Sequence, residues 1–222
     1  MERRKLRIVA LFSGSASSIR YLIGNDTKYN ENYEFVLGLT DKRDASGMQY
    51  FDEQEIPCVF AGIKQFNVRN GYFGKVKDMP DNIRRAYFRH ILNIISKFEP
   101  DIILLSGFML KIVEPLLGYC PIINVHPADL RIINLDGTPK YTGDNAVELA
   151  INAGETSTAS TIHVVEEKVD EGRIICVSQR LVVEPDRSVE ELQELMKTFC
   201  DGPAYKRALE LIVEYDLIGK TM

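Results

Sequence analysis

An asparagine and a histidine two residues apart, Asn124 and His126, are the first residues whose types and spacing could do chemistry. They follow the apolar Ile122 and Ile123, which predict the end of a buried strand. In extended backbone, residues i and i+2 point to the same side, and Pro127 favours an extended His126. An amide and an imidazole placed together can donate hydrogen bonds to a developing oxyanion and move a proton. The alternative is a satisfied polar pair at a strand end.

A carboxylate that could work with this imidazole lies in the stretch Val169–Ile175. Asp170 and Gly172 predict a turn that enters a strand, because Asp and Gly favour turns for local reasons. A carboxylate in that position can orient an imidazole or relay a proton. Plain turn chemistry is the alternative interpretation.

Two loops could hold ligands. Ser13–Ser18 joins a predicted strand to a predicted helix, so its N–H groups favour an anion, although it lacks the complete P-loop and dinucleotide-binding patterns. Ser106–Leu110 follows another predicted strand, where Phe108 and Met109 could line a pocket for a flat ligand. A capped helix start and core packing are the ordinary alternatives.

The elements that must position these residues alternate between strand and helix. Apolar runs predict five parallel strands, at residues 6–12, 34–40, 56–60, 102–105 and 121–124. Periodicity and capping residues predict helices that include 81–98, 111–117, 144–153 and 188–215, and a long loop is predicted at 65–80. Extended segments at 161–165 and 174–183 are joined too closely for a helical crossover. The predicted fold is α/β: a doubly wound, mostly parallel sheet with an antiparallel C-terminal portion.

Composition is that of an ordinary globular chain. Its 222 residues are 45% hydrophobic and 27% charged, with a net charge of −5. The length predicts a single domain over residues 1–222, and the acidic balance disfavours a nucleic-acid partner. No run approaches the ~20 apolar residues of a membrane helix. Scattered cysteines and histidines predict neither a metal site nor a disulfide framework, so we expect a cytoplasmic protein without a metal.

Taken in order, the motifs resemble the folate-dependent formyltransferases, most closely those that act on phosphoribosylglycinamide (GAR). Leu6–Ser18 is similar to the family's first strand and phosphate loop. Pro100–Met109 is similar to its strand that leads into the folate pocket. Asn124–Pro127 matches the catalytic N-x-H-P, and Ser160–Ile175 matches the signature that ends in D-x-G. The resemblance covers roughly residues 6–210.

The resemblance implies a formyltransferase-like, Rossmann-type domain that transfers a formyl group from 10-formyltetrahydrofolate, its co-substrate. The acceptor would be the amine of GAR or a related small molecule, in de novo purine biosynthesis. Asn124 and His126, the latter as imidazolium, would stabilise the tetrahedral oxyanion. Asp170 would pair with His126 and relay the proton of the attacking amine. Activity would then rise as the amine loses its proton and fall as His126 loses its own.

Binding roles are also implied by the resemblance. The pterin of the donor would be held by Leu105, Phe108, Met109, Leu110, Lys111 and Val169. The acceptor is expected to be phosphorylated, with its phosphate on Gly14, Ser15, Ala16 and Ser17. Asp201 would contact the amine of the acceptor. No metal and no membrane are implied, and a homodimer is left open.

Several departures from the family pattern fall on the acceptor side. Ala16 stands at a family glycine, which is penalised if the position needs a positive φ, and Ser18 replaces an asparagine. Asp201 is one methylene shorter than the family's glutamate. Residues 131–138 look like an insertion, and 65–80 looks longer than usual.

These departures leave the acceptor open. One alternative is a formyltransferase that acts on another acceptor, such as an amino-sugar nucleotide. Another is a non-catalytic folate- or nucleotide-binding relative, against which Asn124, His126 and Asp170 argue. A nucleotide-binding oxidoreductase could use Asp41 for a ribose, but its glycine fingerprint is incomplete.

Overall fold

A computed structural model describes residues 4–184 and 186–217. The chain divides into two compact units, one formed by residues up to 16 with 30–122, the other by 17–29 with 123 onwards. The first unit holds four parallel strands in the order β3-β2-β1-β4. These are β1 (Leu6–Phe12), β2 (Tyr33–Thr40), β3 (Cys58–Phe60) and β4 (Ile102–Ser106). Every residue of β4 is buried, as expected of a central parallel strand.

Helices of the first unit pack apolar stripes onto this core. They are α2 (Gly47–Glu53), α3 (Ile63–Arg69) and α4 (Asp81–Ile95), with 3-10 turns at Val76–Asp78 and Ser96–Phe98. The buried residues of α4 recur at helical spacing, at Tyr87, Phe88, Ile91 and Ile95. The Tyr87 hydroxyl donates to the Ala61 carbonyl at 2.7 Å, which satisfies its one buried polar atom.

The second unit carries the antiparallel strands, in the order β5-β7-β8. These strands are β5 (Ile122–His126, which begins at the unit boundary), β7 (Thr161–Val164) and β8 (Ile174–Val177). Two further strands, β6 (Ser157–Thr158) and β9 (Leu181–Val182), pair separately. The helices are α1 (Ser17–Asn25), α5 (Ala146–Asn152), α6 (Val189–Met196) and α7 (Gly202–Tyr215). A π-helical turn, Lys197–Asp201, lies between α6 and α7.

The predicted fold class is confirmed: the strands of the first unit are parallel, and the second unit carries the antiparallel portion. Two local predictions were wrong. The predicted loop at 65–80 contains most of α3 and a 3-10 turn. The predicted helix at 111–117 is a series of turns, because Pro115 cannot donate a helical hydrogen bond. Across the part of the chain that the structure describes, no helix is long and apolar enough to cross a membrane.

The predicted insertion at 131–138 folds as a small hairpin. Asn134 N–H donates to the Thr138 carbonyl at 2.8 Å, and Ile133 bridges Pro139. At the base of the hairpin the buried Asp129 carboxylate accepts two hydrogen bonds from Arg131, at 2.8 and 2.9 Å. The same carboxylate lies 3.0 Å from Arg180 Nη1. A buried carboxylate therefore fixes the inserted segment to the strand region that Arg180 comes from.

We predict that Asp129→Ala lowers the free energy of unfolding by about 2 kcal/mol, since hydrogen bonds to a charged group are lost. The hydrogen bonds from Arg131 lower the pKa of Asp129, so this contribution is lost as pH falls through that pKa. Urea unfolding at neutral pH measures the change. Glu53→Ala, at an exposed carboxylate of α2, is the control. Equal stability of the two variants would contradict the prediction.

Candidate active site

Two polar side chains meet across the antiparallel pair of β5 and β7. Asn124 is the direct strand partner of His163, and His126 is the partner of Thr161. Directly opposed side chains lie close together, and Asn124 Nδ2 lies 3.3 Å from His163 Nε2. No short motif of the sequence predicts this contact, because it depends on the register of β5 against β7.

Asp170 lies between two imidazoles. Its Oδ2 is 3.4 Å from His126 Nδ1, and its Oδ1 is 3.5 Å from His163 Nε2. The N–H of Gly143 donates to Oδ2 at 2.7 Å. His126 is 4% exposed and Asp170 7%, whereas Asn124 is half-buried. The structure thus brings the three predicted catalytic side chains into one cluster and adds His163 to it.

The D-x-G motif has a steric reason. Asp170 adopts a left-handed conformation with φ of 58°. Two residues on, a Cβ added to Gly172 would lie 1.9 Å from the Val164 carbonyl oxygen. Only glycine allows this close approach, and the Arg173 carbonyl accepts from Val164 N–H at 2.9 Å. The glycine therefore presses the Asp170 turn against the end of β7, next to His163.

The proton positions on His126 follow from its two neighbours. Nε2 lies 2.8 Å from the carbonyl oxygen of Tyr141, which can only accept, so Nε2 carries a proton. The 3.4 Å from Nδ1 to Asp170 is long for a charge-assisted hydrogen bond. Burial lowers the pKa of His126, against the opposing effects of Asp170 and of the Tyr141 carbonyl. Burial therefore favours a neutral imidazole at rest with its proton on Nε2, and the imidazolium expected during the reaction stays a prediction.

The Asp170 carboxylate is ionised in this setting. Burial alone would raise its pKa, but contact with His163, the proximity of His126 and the Gly143 N–H together lower it. Asn124 has two amide protons, of which one is directed at His163. The second remains for a ligand on the exposed side. The cluster can thus supply a hydrogen-bond donor, a proton acceptor and a fixed negative charge.

The predicted phosphate loop is held by Ser13, which directly precedes the residues predicted to bind the phosphate. Ser13 Oγ donates to Asp41 Oδ1 at 2.6 Å and accepts from Met109 N–H at 3.2 Å. Ala16 is buried and has φ of 53°, so the conformation that disfavours alanine is present. Gly14 and Ser15 are exposed, and Ser17 begins α1.

The residues predicted to hold the pterin differ in exposure. Met109 and Val169 expose 55% and 49% of their surface, as ligand contacts could. Lys111 is also exposed, Leu110 is half-buried, and Leu105 and Phe108 are buried. Leu105 lies in β4 and Phe108–Lys111 follow that strand in the first unit, whereas Val169 precedes Asp170 in the second. Nothing tests their binding roles, which stay predictions.

Asp201 is the second buried carboxylate of the predicted set. It ends the π-helical turn and accepts a hydrogen bond from Ser160 Oγ at 2.5 Å. Burial raises its pKa to about 6. Ser160 directly precedes Thr161, the strand partner of His126. The hydrogen bond from Ser160 already occupies one of the two carboxylate oxygens of Asp201 that could bind a ligand amine.

No group of three or more His, Cys, Asp or Glu side chains is placed to hold a metal ion within residues 4–184 and 186–217. His126 and His163 come near Asp170, with 3.4 and 3.5 Å between their ring nitrogens and the carboxylate oxygens. The absence of a metal from the reaction therefore stays a prediction.

Comparison with known proteins gives concordant results. A family model described as formyl transferase matches residues 6–208. The chain is 27% identical over 214 residues to the trifunctional purine biosynthetic protein adenosine-3 of Gallus gallus, with 96% of this chain covered. It spans 19% of the length of that relative.

Solved structures are similar over nearly the whole chain. Phosphoribosylglycinamide formyltransferase from Bacillus halodurans superposes with a TM-score of 0.76 at 24% identity, covering 96% of this chain and 100% of that one. At this identity the likeness shows the fold alone. The enzyme of the same name from Coxiella burnetii, in complex with CHES, has a TM-score of 0.73 at 26% identity, covering 96% and 89%.

The raised pKa of Asp201 makes a prediction for stability. A carboxyl group whose pKa is raised on folding destabilises the native state once it ionises, by up to about 3 kcal/mol for a shift of roughly two units. We expect Asp201→Asn to be more stable than the parent chain above pH 6, because an amide oxygen still accepts from Ser160. The advantage should shrink as pH falls from 6 to 4. Urea unfolding across this range measures it, and a pH-independent difference would contradict the prediction.

Proposed function

The chain belongs to the formyl transferase family, and on that premise we propose that it transfers a formyl group from 10-formyltetrahydrofolate to the amine of GAR. This would be a step of de novo purine biosynthesis. The observation that carries the proposal is the buried Asp170 carboxylate facing His126, with Asn124 beside them on the exposed side. The name of the similar structure from Coxiella burnetii supports GAR as the first acceptor to test, and that of the Gallus gallus relative supports purine biosynthesis.

Asn124 acts on the oxygen of the formyl group in this proposal. The acceptor amine forms a bond to the formyl carbon, and the carbonyl oxygen becomes an oxyanion. One amide proton of Asn124 is directed at His163, which holds the amide in place. The other donates to the oxyanion as its charge develops, the kind of preorganised donor that lowers a barrier most effectively.

His126 and Asp170 handle the proton. The attacking amine must lose a proton, and N10 of the leaving tetrahydrofolate must gain one when its bond to the formyl carbon breaks. His126 Nδ1 accepts the proton beside Asp170, so that the imidazolium forms during the reaction rather than before it. Asp170 and the Tyr141 carbonyl then stabilise the cation from both ring nitrogens. The cation in turn stabilises the nearby oxyanion by its charge.

The remaining assignments are carried forward as part of the proposal. Leu105–Lys111 and Val169 contact the donor, Gly14–Ser17 contacts a phosphate on the acceptor, and Asp201 contacts the acceptor amine. The domain extends over residues 1–222, and the substrates are small molecules rather than nucleic acid. The exposure of Met109 and Val169 supports their part in donor binding.

Two observations favour a second acceptor as the alternative. Asp201 is already hydrogen-bonded to Ser160, and the phosphate loop has a strained alanine at position 16. Both lie where the acceptor would be recognised, so an amino-sugar nucleotide or another amine stays the second candidate. A non-catalytic folate- or nucleotide-binding protein is the third, and the intact Asn124, His126 and Asp170 count against it.

The deciding experiment is formyl transfer by the purified protein with 10-formyltetrahydrofolate and a panel of amines. The panel contains GAR, an amino-sugar nucleotide and glycinamide without the phosphoribosyl group. Turnover that is fastest with GAR supports the proposal. Turnover only with the amino-sugar nucleotide selects the second candidate, and folate binding without any turnover selects the third.

Loss of the proton-handling pair should remove most turnover. We predict that His126→Ala and Asp170→Asn each lower kcat by about 10²–10⁴-fold, the usual contribution of a positioned acid–base group. Glu53→Gln, an exposed change on α2, is the matched control and should keep the parent rate. Steady-state kinetics measure the effect, with circular dichroism to verify folding. Near-parental kcat in a folded variant of either residue would rule out the proposed roles.

The charge of Asp170 should also be visible without substrate. Because Asp170 opposes the lowering of the His126 pKa, Asp170→Asn should lower that pKa further. Proton NMR titration of the histidine ring protons measures it. In the parent chain kcat/KM should rise with pH through the acceptor amine and should show no fall from a loss of imidazolium near neutrality. A higher His126 pKa in the variant would contradict this electrostatic account.

A further inference from the structure

One short segment contacts both members of the His126–Asp170 pair. The Tyr141 carbonyl accepts from His126 Nε2 at 2.8 Å, and the Gly143 N–H donates to Asp170 Oδ2 at 2.7 Å. We name residues 141–143 the clamp. Its acceptor and its donor are two residues apart, and Gly143 has φ of 75°, where a side chain would be strained. The clamp thus fixes the imidazole from one side and the carboxylate from the other.

The clamp has an anchor outside the catalytic cluster. The Tyr141 hydroxyl donates to Glu155 Oε1 at 2.6 Å, just after α5. The Tyr141 ring is buried, packs in a cluster with Ala128, Ala146 and Ala150, and lies 4.9 Å from Lys140 Nζ. Burial holds the ring inside the cluster, but the small alanine side chains do not stop it from sliding or rotating. The hydrogen bond to Glu155 fixes the position of the Tyr141 hydroxyl. It thereby restrains residue 141 and the direction of its backbone carbonyl.

We propose that Tyr141 and Glu155 are positioning residues of the formyl transfer, which act by holding the Tyr141 carbonyl on His126 Nε2. This carbonyl selects the tautomer with the proton on Nε2 and leaves the lone pair of Nδ1 directed at Asp170. A histidine whose tautomer is fixed by its second nitrogen is ready to accept a proton at the first. The expected effect on kcat rests on the proposed function. The expected effect on the tautomer of His126 does not.

The electrostatic effect of the clamp has a defined sign. The Tyr141 carbonyl and Asp170 raise the pKa of His126, as Asp144 also does, while burial and the neighbouring His163 lower it. Lys140 and Glu155 lie on the far side of the Tyr141 ring, 3.9 Å from each other. If the carbonyl moves away, one of the stabilising contacts of the imidazolium is lost. The proton transfer then becomes less favourable, and kcat falls while substrate binding does not.

The test uses the phenol–carboxylate pair. Tyr141→Phe and Glu155→Leu should each lower kcat by about tenfold, which corresponds to one hydrogen bond to a charged group, with the KM of both substrates within twofold. Glu155→Gln keeps an oxygen that accepts from the phenol and should restore most of the rate. The double variant Tyr141→Phe with Glu155→Leu should be no worse than either single one, because both remove the same interaction.

Tyr72→Phe is the matched control. It removes another phenol-to-acceptor hydrogen bond, from Tyr72 to the Lys75 carbonyl in the first unit, and should keep the parent kcat. Equal losses of kcat in this control and in Tyr141→Phe would overturn the proposal. So would strictly additive losses in the double variant, or a rise in KM with unchanged kcat.

A spectroscopic measurement separates this proposal from the proposed function. With ¹⁵N-labelled histidine, His126 of the parent chain should show a protonated Nε2 and an unprotonated Nδ1, with no substrate present. In Tyr141→Phe the two tautomers should mix and the pKa of His126 should fall. Unchanged tautomer and pKa would overturn the positioning role even if formyl transfer is real. A shift in both, without formyl transfer to any amine, would leave the positioning of His126 supported and defeat only the proposed reaction.

Discussion

The rest of the site depends on one buried charge, the carboxylate of Asp170. An ionised carboxylate removed from water is costly unless hydrogen-bond donors surround it. Here the donor of shortest contact is a backbone N–H, that of Gly143, and two imidazoles face the two oxygens. The backbone meets this demand with unusual conformations, a left-handed Asp170 and a left-handed Gly143. These strained positions lie at the site itself, where strain is commonly retained for function.

The chemistry of the cluster follows from an asymmetry around His126. One ring nitrogen makes a short contact with a neutral carbonyl, and the other faces a charged carboxylate at a longer distance. Burial favours a neutral imidazole at rest, whereas Asp170 favours the charged form that arises when the imidazole takes up a proton. In the proposed reaction the positive charge would then appear when the oxyanion does. An imidazolium present throughout would have to overcome the burial that lowers the pKa of His126.

Sequence was sufficient where the chemistry is local. The N-x-H-P and D-x-G motifs place their side chains by strand geometry and by a turn, both encoded within a few residues. The contact between Asn124 and His163 was not predicted because it depends on the register of β5 against β7. No short motif specifies that register. The contact between Tyr141 and His126 was not predicted because it is made by the backbone carbonyl of Tyr141 and not by its side chain. The charge of His126 in the reaction stays a prediction, because the burial that lowers its pKa is a property of the folded chain and not of a motif.

The fold, like the site, was predicted only where a short stretch of sequence carries a clear signal. Apolar runs located the central strands, whereas the short helix α3 was hidden in a polar stretch and Pro115 prevents the helix expected at 111–117. The sequence predicts a penalty for alanine at position 16 only if that position needs a positive φ. The structure has a positive φ there. An alanine there costs about 1 kcal/mol, which must be compensated elsewhere in the loop. The departures from the family pattern thus fall on residues that the proposal assigns to the acceptor.

The most direct test of the central claim is neutron diffraction from deuterium-exchanged crystals near pH 7.5, which locates protons on individual nitrogens. The account predicts a deuterium on Nε2 of His126, pointing at the Tyr141 carbonyl, and none on Nδ1 or on the carboxylate of Asp170. A deuterium on both ring nitrogens, or one on the carboxylate, would contradict it.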